Sequence, residues 1–220
     1  TVNTDAVGSY SVTYSVSDAN GNAAVEVVRT VKVVDTTVPV ITLSGGSTVT
    51  HEAKGVYVDG GVSASDTLDG DLSSSVTRVS TVNKDAVGSY SVTYSVSDSN
   101  GNAAEKVVRT VKVVDTTVPV ITLSGDSTVT HEAKGVYVDA GAKASDTLDG
   151  DLSSSVTRVS TVNKDAVGSY SVTYSVSDSN GNAAEKVVRT VKVVDTTVPV
   201  ITLSGDSTVT HESKETYVDG

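Results

Sequence analysis

The most regular feature of the chain is an alternation of apolar and polar residues. Over 88–97, Tyr and Val occupy every second position and alternate with Ser and Thr. A period of two places the apolar side chains on one face, so this segment is predicted to be a half-buried β-strand. Asn100-Gly101 follows as a dipeptide that favours tight hairpin turns, and the Val-rich segment 107–114 is predicted to be the return strand.

The same pattern continues through the next copy of this segment. Further strands are predicted over 118–123, 127–132, 137–145 and 152–160. Six or seven short strands in about 80 residues, with no helical stretch, favour a small sandwich of two sheets. Tyr90 follows the run Ala-Val-Gly-Ser, where a tyrosine corner is expected, and a half-buried core tyrosine is an equally good interpretation.

The chain repeats itself with a period of 80 residues. The segments 35–114 and 115–194 differ at only four pairs of positions. These pairs are Gly46/Asp126, Gly60/Ala140, Val62/Ala142 and Ser63/Lys143. Such near-identity indicates recent duplication, so sameness between copies says nothing about functional constraint.

The junctions between copies are marked by the run Asp-Thr-Thr-Val-Pro. Pro is excluded from central strands, and Asp and Thr favour loops, so we predict linkers at 35–38, 115–118 and 195–198. With the linkers at these positions, 35–114 and 115–194 are complete domains. It leaves 1–34 as the C-terminal part of one repeat and 195–220 as the N-terminal part of another.

Composition excludes several classes of protein. The 220 residues carry a formal net charge of −11 and contain no Cys, Met, Trp or Phe. Without Cys there is no disulfide, thiol nucleophile or Cys-ligated metal, and the acidic balance argues against nucleic-acid binding. No apolar run approaches the ~18 residues that a membrane span needs, so we expect no membrane insertion by this segment.

The histidines do not form a predicted site. Each copy contains one, at His51, His131 or His211, and a Glu follows it directly. Adjacent residues of a strand face opposite sides, so each His is interpreted as an exposed strand residue. Ser is abundant, but no nucleophile-elbow pattern occurs. We therefore expect no enzyme and no small-molecule substrate.

Several motifs together resemble a known family. They are Pro-Val-Ile-Thr-Leu, Tyr-Val-Asp-Ala-Gly, Ala-Ser-Asp-Thr-Leu-Asp-Gly-Asp, Gly-Ser-Tyr-Ser-Val-Thr-Tyr-Ser-Val-Ser-Asp and Gly-Asn. This set resembles the tandem bacterial immunoglobulin-like, cadherin-like repeats of surface proteins and giant adhesins, over the whole repeat. The resemblance implies an all-β fold of tandem immunoglobulin-like, antiparallel β-sandwiches in an extended array, located outside the cell or on the bacterial surface.

The acidic loops carry the candidate chemistry. In an immunoglobulin-like sandwich, the loop after the second strand and the last hairpin turn lie at the end where the chain enters, so their carboxylates are expected to converge there with the linker Asp. Ca²⁺ prefers six to eight hard oxygen ligands, which Asp-rich loops supply. The candidate ligands are Asp35, Asp66, Asp69, Asp71 and Asp98 in one repeat, Asp115, Asp146, Asp149, Asp151 and Asp178 in the next, and Asp195 at the last junction.

The resemblance to cadherins adds two further candidates. In cadherins, calcium at a junction uses the linker, a DxD loop of the following domain and a Glu of the preceding one. Asp149-Gly150-Asp151 matches the DxD loop, Glu52 is the candidate at the Asp115 junction, and Glu132 is the candidate at the Asp195 junction. Solvated turn acids or another ion are the alternatives, since Asp-Gly is also a common turn and the EF-hand spacing is absent.

The function implied by these observations is a structural spacer. We expect an extender region of a large secreted bacterial adhesin, stiffened by interdomain calcium, whose partners are neighbouring repeats of the same chain. A glycan- or protein-binding module and an accessory domain of a secreted hydrolase or toxin are the alternatives. The partial repeats 1–34 and 195–220 are expected either to fray or to complement each other end to end between molecules.

Overall fold

The computed structural model describes residues 1–218, in which the regular secondary structure consists of β-strands and two short 3₁₀ turns. The chain divides into two compact units, Thr1–Thr117 and Val118–Gly220. The strands of unit 1 are β1 (Gly8–Tyr14), β2 (Val27–Val33), β3 (Val40–Leu43), β4 (Thr48–Glu52), β5 (Val62–Asp66), β6 (Gly70–Asp71), β7 (Thr77–Ser80), β8 (Gly88–Ser95) and β9 (Val107–Val114). Those of unit 2 are β10 (Val120–Leu123), β11 (Thr128–Glu132), β12 (Ala142–Asp146), β13 (Gly150–Asp151), β14 (Thr157–Ser160), β15 (Gly168–Ser175) and β16 (Val187–Val194).

Each complete repeat forms two sheets. One sheet has the strand order β3-β5-β6 and the other β4-β9-β8-β7, and unit 2 has the same arrangement as β10-β12-β13 and β11-β16-β15-β14. All pairs are antiparallel except β4 with β9 and β11 with β16. The exception arises where the chain leaves the first sheet through a turn at Gly45, whose φ of 91° suits glycine, and joins β9 running in the same direction.

The alternation of the sequence matches the burial in the structure. On β8, Val92 and Tyr94 are 0% and 1% exposed, and on β9 Val111 and Val113 are 0% and 1% exposed. Between them, Thr93 on β8 is half-buried and Lys112 on β9 is exposed. The core of unit 2 consists of Ile121, Ala144, Val172, Tyr174, Val176, Ala184, Val191 and Val193. Val side chains and one fully buried Tyr therefore fill most of each sandwich without Phe or Trp.

The strand predicted over 137–145 is wrong in its first half. The observed strand begins at Ala142, and the preceding loop contains Lys134 and Gly141 at φ values of 63° and 80°. Val136 and Val138 are 86% and 80% exposed. The Val-Tyr-Val-Asp alternation imitates a strand, but these backbone angles belong to a turn. The predicted strand over 152–160 is likewise interrupted by a 3₁₀ turn at Ser153–Ser155.

The tyrosine-corner interpretation agrees with the structure in every copy. The Tyr90 hydroxyl donates a hydrogen bond to the carbonyl of Ala86 at 3.0 Å, and Tyr170 donates to Ala166 at 3.0 Å. The same bond joins Tyr10 to the carbonyl oxygen four residues upstream at 2.8 Å. Each bond fixes the loop before the penultimate strand of its repeat.

The Tyr170→Phe variant tests the contribution of this bond. It keeps the ring and removes only the hydroxyl, so we expect unit 2 to lose about 0.5–1.5 kcal/mol of unfolding free energy, the usual net value of one hydrogen bond. Calorimetry should show a lower melting temperature for unit 2 and an unchanged transition for unit 1. An unchanged unit 2 would mean that the corner does not stabilise the fold.

Candidate functional site

Three carboxylates converge where the chain enters the first complete repeat. Asp35 lies in the linker after β2, Asp66 ends β5, and Asp98 follows β8. Each offers a carboxylate oxygen, and these oxygens lie within 4.8 Å of one another. Asp98 is 8% exposed. The predicted convergence of linker, second-strand loop and last hairpin turn is therefore present in unit 1 for these three residues, which we call the entrance cluster.

The last hairpin turn holds the cluster in place through its own backbone. Asp98 Oδ1 accepts hydrogen bonds from the backbone N–H groups of Asn100 and Asn102 at 2.9 and 2.7 Å. Asn102 Nδ2 donates to Asp98 Oδ2 at 2.7 Å and to the carbonyl of Asp35 at 3.2 Å. Asn100 Nδ2 donates to Asp35 Oδ2 at 3.2 Å. The Asn-Gly-Asn turn thus fixes two of the three carboxylates relative to each other.

Asp98 remains ionised at neutral pH despite its burial. Burial and the neighbouring Asp66 carboxylate raise the pKa of Asp98, but hydrogen bonds from the side chain and backbone of Asn102, with one from Asn100, outweigh them and lower it. The mutual repulsion expected among the acids is thus overcome at Asp98 by local donors.

Asp69 and Asp71 lie outside the entrance cluster and have other partners. Asp69 accepts hydrogen bonds from the backbone N–H and hydroxyl of Ser99 at 2.6 and 2.9 Å. Asp71 accepts from the backbone N–H and hydroxyl of Ser73, the first residue of the 3₁₀ turn, at 2.9 and 2.5 Å. Asp69 therefore links the Asp-rich loop to the hairpin turn, whereas Asp71 makes its hydrogen bonds within its own loop.

The same local bonds recur in unit 2. Asp178 is 9% exposed and accepts from the backbone of Asn182 at 2.8 Å. Asp149 accepts from Ser179 N–H at 2.7 Å, and Asp151 accepts from Ser153 N–H at 2.9 Å. Asp146 Oδ1 accepts from the N–H groups of the two loop residues Leu148 and Asp149 at 2.7 and 3.1 Å. The remaining linker candidate of this repeat, Asp115, belongs to unit 1, where it is 8% exposed and accepts from Thr117 at 2.7 Å.

Both candidate Glu residues contact the linker that follows their repeat. Glu52, at the end of β4, accepts from the backbone N–H and hydroxyl of Thr116 at 2.8 and 2.9 Å. Glu132 accepts from the equivalent groups of Thr196 at 2.8 Å each. These bonds hold the pKa of both Glu carboxyls below its ordinary value, with the Thr backbone N–H as the first cause. The carboxylate of Asp195 accepts a hydrogen bond from the hydroxyl of Thr197, two residues further along the chain, at 2.6 Å.

The donor set of the entrance cluster fits a hard cation. It consists of carboxylate oxygens, with the carbonyl of Asp35 nearby, and contains no nitrogen or sulfur ligand. Ca²⁺ prefers such all-oxygen sites, whereas Zn²⁺ and Cu²⁺ favour imidazole or thiolate. Three carboxylates also leave coordination positions for water or carbonyl oxygens. Asp35, Asp66 and Asp98 are the residues that fit a calcium ion.

Sequence reasoning missed the most buried charged group of the repeat. Arg109 is 1% exposed, and its guanidinium donates to Asp59, to the Tyr94 hydroxyl at 3.2 Å and to the Ser44 carbonyl at 2.7 Å. The Tyr94 hydroxyl also donates to Asp59. Arg109 occupies an inward position in the alternation of β9, opposite Val92, so the period-two pattern contained a signal for it.

This buried network is structural. Burial raises the pKa of Asp59, but hydrogen bonds from Tyr94 and Arg109 outweigh it and lower the pKa. Burial and the Asp59 carboxylate raise the pKa of Tyr94 to about 12. Asp59 and Arg109 therefore both stay charged, and Arg109 also donates to the carbonyl of Ser44. These bonds link β9, in one sheet of the repeat, to the loops beside β3 and β5, in the other sheet.

The interpretation of the histidines as exposed is wrong for two of them. His51 and His131 are half-buried, and each ring packs edge-on against a Tyr, with centroids 5.3 Å from Tyr57 and 5.4 Å from Tyr137. Their Nε2 atoms are buried without a hydrogen-bond partner in the described structure. Tyr137, which packs against His131, lies in the loop of unit 2 that was predicted to be a strand.

The sequence matches a known family over most of its length. Residues 1–33, 41–113 and 121–193 match the model described as bacterial surface protein, Ig-like domain. The chain therefore belongs to this family of bacterial surface immunoglobulin-like domains. This match, together with the all-β structure, confirms the suspected family and the predicted β-sandwich fold. Among the described residues, no helix is long and apolar enough to span a membrane.

Curated relatives share about a third of the residues. An uncharacterized 81.3 kDa protein of Acholeplasma phage L2 is 32% identical over 86% of this chain and 27% of its own length. Hyalin of Strongylocentrotus purpuratus is 32% identical over 91% of this chain and 17% of its length. The pesticidal crystal protein Cry22Aa of Bacillus thuringiensis is 30% identical over 85% and 26%. The chain thus spans about a quarter or less of these relatives.

Solved structures show more distant similarity. A lipoprotein of Bacteroides thetaiotaomicron is 26% identical, with a TM-score of 0.33, over 37% of this chain and 40% of that one. A Clostridium perfringens structure of an M60 catalytic domain with two CBM51 domains is 16% identical, with a TM-score of 0.42, over 88% and 34%.

Proposed function

We propose that this chain is a spacer segment of a secreted bacterial surface protein, in which calcium stiffens the junctions between repeats. The spacer role is supported by tandem repeats that differ at four positions and that each bury a core of their own. Repeats of this kind contribute length in proportion to their number, because each contacts mainly its neighbours. The net charge of −11 supports solubility of such an array.

The entrance cluster is the observation that supports the calcium part of the proposal. Asp35 comes from the linker, whereas Asp66 and Asp98 come from the body of the repeat, and their oxygens lie within 4.8 Å. A divalent cation among these carboxylates joins the linker to the domain and cancels their repulsion. Ion binding at this position restricts the angle between successive repeats, which is what a stiff spacer requires.

The Glu–Thr contacts support a fixed linker at the other end of each repeat. Glu52 binds Thr116 through both carboxylate oxygens, at 2.8 and 2.9 Å. A linker held this way at its start and by a cation at the following entrance has few free torsions left. In this proposal, Glu52 and Glu132 position the linker and are not required as direct calcium ligands.

The Asp98→Asn variant tests the calcium proposal. Extracellular calcium modules have dissociation constants of about 10⁻⁴–10⁻³ M, so 10 mM Ca²⁺ is expected to raise the melting temperature of unit 1 by roughly 5 °C or more over the value with chelator. Asp98→Asn keeps the size of the side chain and removes its charge, so the calcium-dependent increase in unit 1 should be lost. Small-angle scattering with and without Ca²⁺ should show a larger maximum dimension for the parent chain.

Asp71→Asn is the matched control. Its carboxylate lies in the same acidic loop but accepts hydrogen bonds from Ser73 and is not part of the entrance cluster, so the calcium-dependent increase should persist in this variant. Equal loss in both variants would indicate general screening of negative charge. If calcium changes neither the melting temperature nor the scattering of the parent chain, the calcium part of the proposal is wrong and the spacer role has to rest on the repeats alone.

A further inference from the structure

The dipeptide Asn100-Gly101 lies in the last hairpin turn of the first complete repeat, beside the entrance cluster. Both residues are exposed. Gly101 has a φ of 89°, and nothing lies within 4 Å of the place where a Cβ would stand. The backbone nitrogen of Gly101 is therefore not shielded by a side chain, and it directly follows a residue with a side-chain amide.

An Asn side chain in this setting can react with the backbone of its own chain. The Gly101 nitrogen attacks Cγ of Asn100, the new C–N bond closes a cyclic imide, and the side-chain nitrogen leaves with the displaced proton as ammonia. Water then adds to one of the two imide carbonyls and breaks its C–N bond. The product is either an aspartate or an isoaspartate, in which the backbone runs through the former side chain. Water is the only co-reactant.

The folded turn restrains both reacting groups. The Gly101 N–H donates a hydrogen bond to the carbonyl of Asp98 at 3.3 Å, and the Asn100 N–H donates to Asp98 Oδ1 at 2.9 Å. The Asn100 side-chain amide donates to Asp35 Oδ2 at 3.2 Å. The attack requires the nitrogen and Cγ to move out of this arrangement, so it proceeds through a local opening of the turn that breaks these bonds.

The acceptors of these bonds belong to the entrance cluster. Asp35 and Asp98 are two of its three members, and the Asp66 carboxylate beside them raises the pKa of Asp98, which is the mark of repulsion between the two acids. A cation among the carboxylates cancels this repulsion and holds both acceptors against the turn. Occupancy of the cluster therefore controls how often the turn opens.

We propose that Asn100 is a modification site, at which the Gly101 nitrogen displaces the side-chain amide, and that calcium at the entrance cluster slows this reaction. The second part rests on the calcium proposal above, whereas the first does not. Modification replaces a donor to Asp35 with a carboxylate that repels it. An isoaspartate also lengthens the backbone before Asn102, whose amide joins Asp98 to Asp35. A repeat that stays without calcium is thus weakened irreversibly at its entrance.

Peptide mapping by mass spectrometry measures the reaction. The tryptic segments 85–106 and 165–186 have the same sequence, so the measurement uses the Asn180→Gln chain, in which their masses differ. Gln has one more methylene than Asn and cyclises far more slowly, so its amide persists. Fragment ions assign the product within 85–106 to Asn100 or to Asn102, and Asn102 is the internal control because Ala103 follows it and its methyl group hinders the attack.

In mildly alkaline buffer with chelator, Asn100 should lose its amide and Asn102 should keep it. Unfolding in urea should speed the loss about tenfold, because the several hydrogen bonds of the closed turn are then absent. Calcium at about 10 mM should slow the loss in the folded chain about tenfold, the factor by which a ligand with a Kd of about 1 mM favours the closed turn.

The possible failures are distinguishable. An Asn100 amide that persists in urea, or that is lost equally fast in the folded and unfolded chains, would overturn the modification site. If calcium raises the melting temperature of unit 1 without slowing the loss, calcium control of the site is wrong and the calcium proposal stands. If calcium does neither, both calcium claims are wrong, and the comparison with urea still decides whether the turn restrains Asn100.

The Asn100→Asp variant tests the consequence of the modification. With chelator, unit 1 of this variant should melt below the parent, because a carboxylate takes the place of the donor to Asp35. Asn83→Asp is the matched control, since it adds the same charge in the loop before β8, where the side-chain oxygen accepts from the Asp85 N–H and an aspartate can do the same. Equal melting of Asn100→Asp and Asn83→Asp would overturn the weakening of the entrance cluster.

Discussion

Arg189→Ala is expected to destabilise unit 2 by about 3–5 kcal/mol, because it leaves the buried carboxylate of Asp139 without its main partner. The Arg189 and Asp139 side chains are each 1% exposed and are paired. Arg189 also donates to the Ser124 carbonyl at 2.6 Å and to the Tyr174 hydroxyl at 3.0 Å, so several buried acceptors lose a donor together. Calorimetry should show the unit 2 transition lowered by roughly 15 °C or more, with unit 1 as internal reference.

Arg158→Ala provides the matched control, since it removes the other arginine paired with the same carboxylate. Arg158 lies 3.5 Å from Asp139, but its side chain is 54% exposed. An ion pair with one solvent-exposed partner contributes about 0–1 kcal/mol, so this variant should melt close to the parent. Equal stability of the two variants would show that the buried pair does not hold the two sheets of the repeat together.

Ile121→Ala is expected to cost unit 2 about 2–5 kcal/mol of unfolding free energy, through lost burial and the cavity that remains. Ile121 is 8% exposed and belongs to the core formed with Val172, Tyr174 and Val191. Among the described strands, β10, which carries Ile121, is paired with β12 alone. Chemical denaturation followed by circular dichroism should show a lower midpoint for unit 2.

Ile201→Ala is the same substitution in the same local sequence, Pro-Val-Ile-Thr-Leu. Ile201 is 92% exposed in the chain, so its truncation should leave the unfolding of dilute monomer unchanged. A loss of monomer stability as large as that of Ile121→Ala would show that the C-terminal segment packs within its own chain.

Much of the fold could be predicted from local pattern alone. The alternation of Tyr and Val with Ser and Thr predicted strands β8 and β9, because the side chains of a strand alternate strictly between two faces. The loop before β12 could not be predicted in this way. Its Val-Tyr-Val-Asp run alternates as a strand does, but Asp139 turns toward Arg189, which lies 50 residues away in sequence.

The candidate site was predictable in part. The sequence placed acidic residues in three loops, and the entrance cluster of Asp35, Asp66 and Asp98 follows from the topology that brings those loops together. The sequence could not predict which acids lie outside the entrance cluster. Asp69 and Asp71 do so because they accept hydrogen bonds from Ser99 and Ser73. Such short contacts depend on loop geometry that the composition of the loops does not specify.

The motif Pro-Val-Ile-Thr-Leu occurs three times in the chain, and its three copies distinguish what the sequence determines from what the tertiary structure determines. By itself, the sequence determined the strand-forming pattern, the repeat period and the family, since these depend on residue types and their order. Tertiary structure decided burial: the Ile of Pro-Val-Ile-Thr-Leu is 8% exposed at Ile41 and Ile121, and 92% exposed at Ile201. The physical reason is that a short strand gains stability only from the sheet it joins and the core it covers, and those partners come from the other end of a repeat.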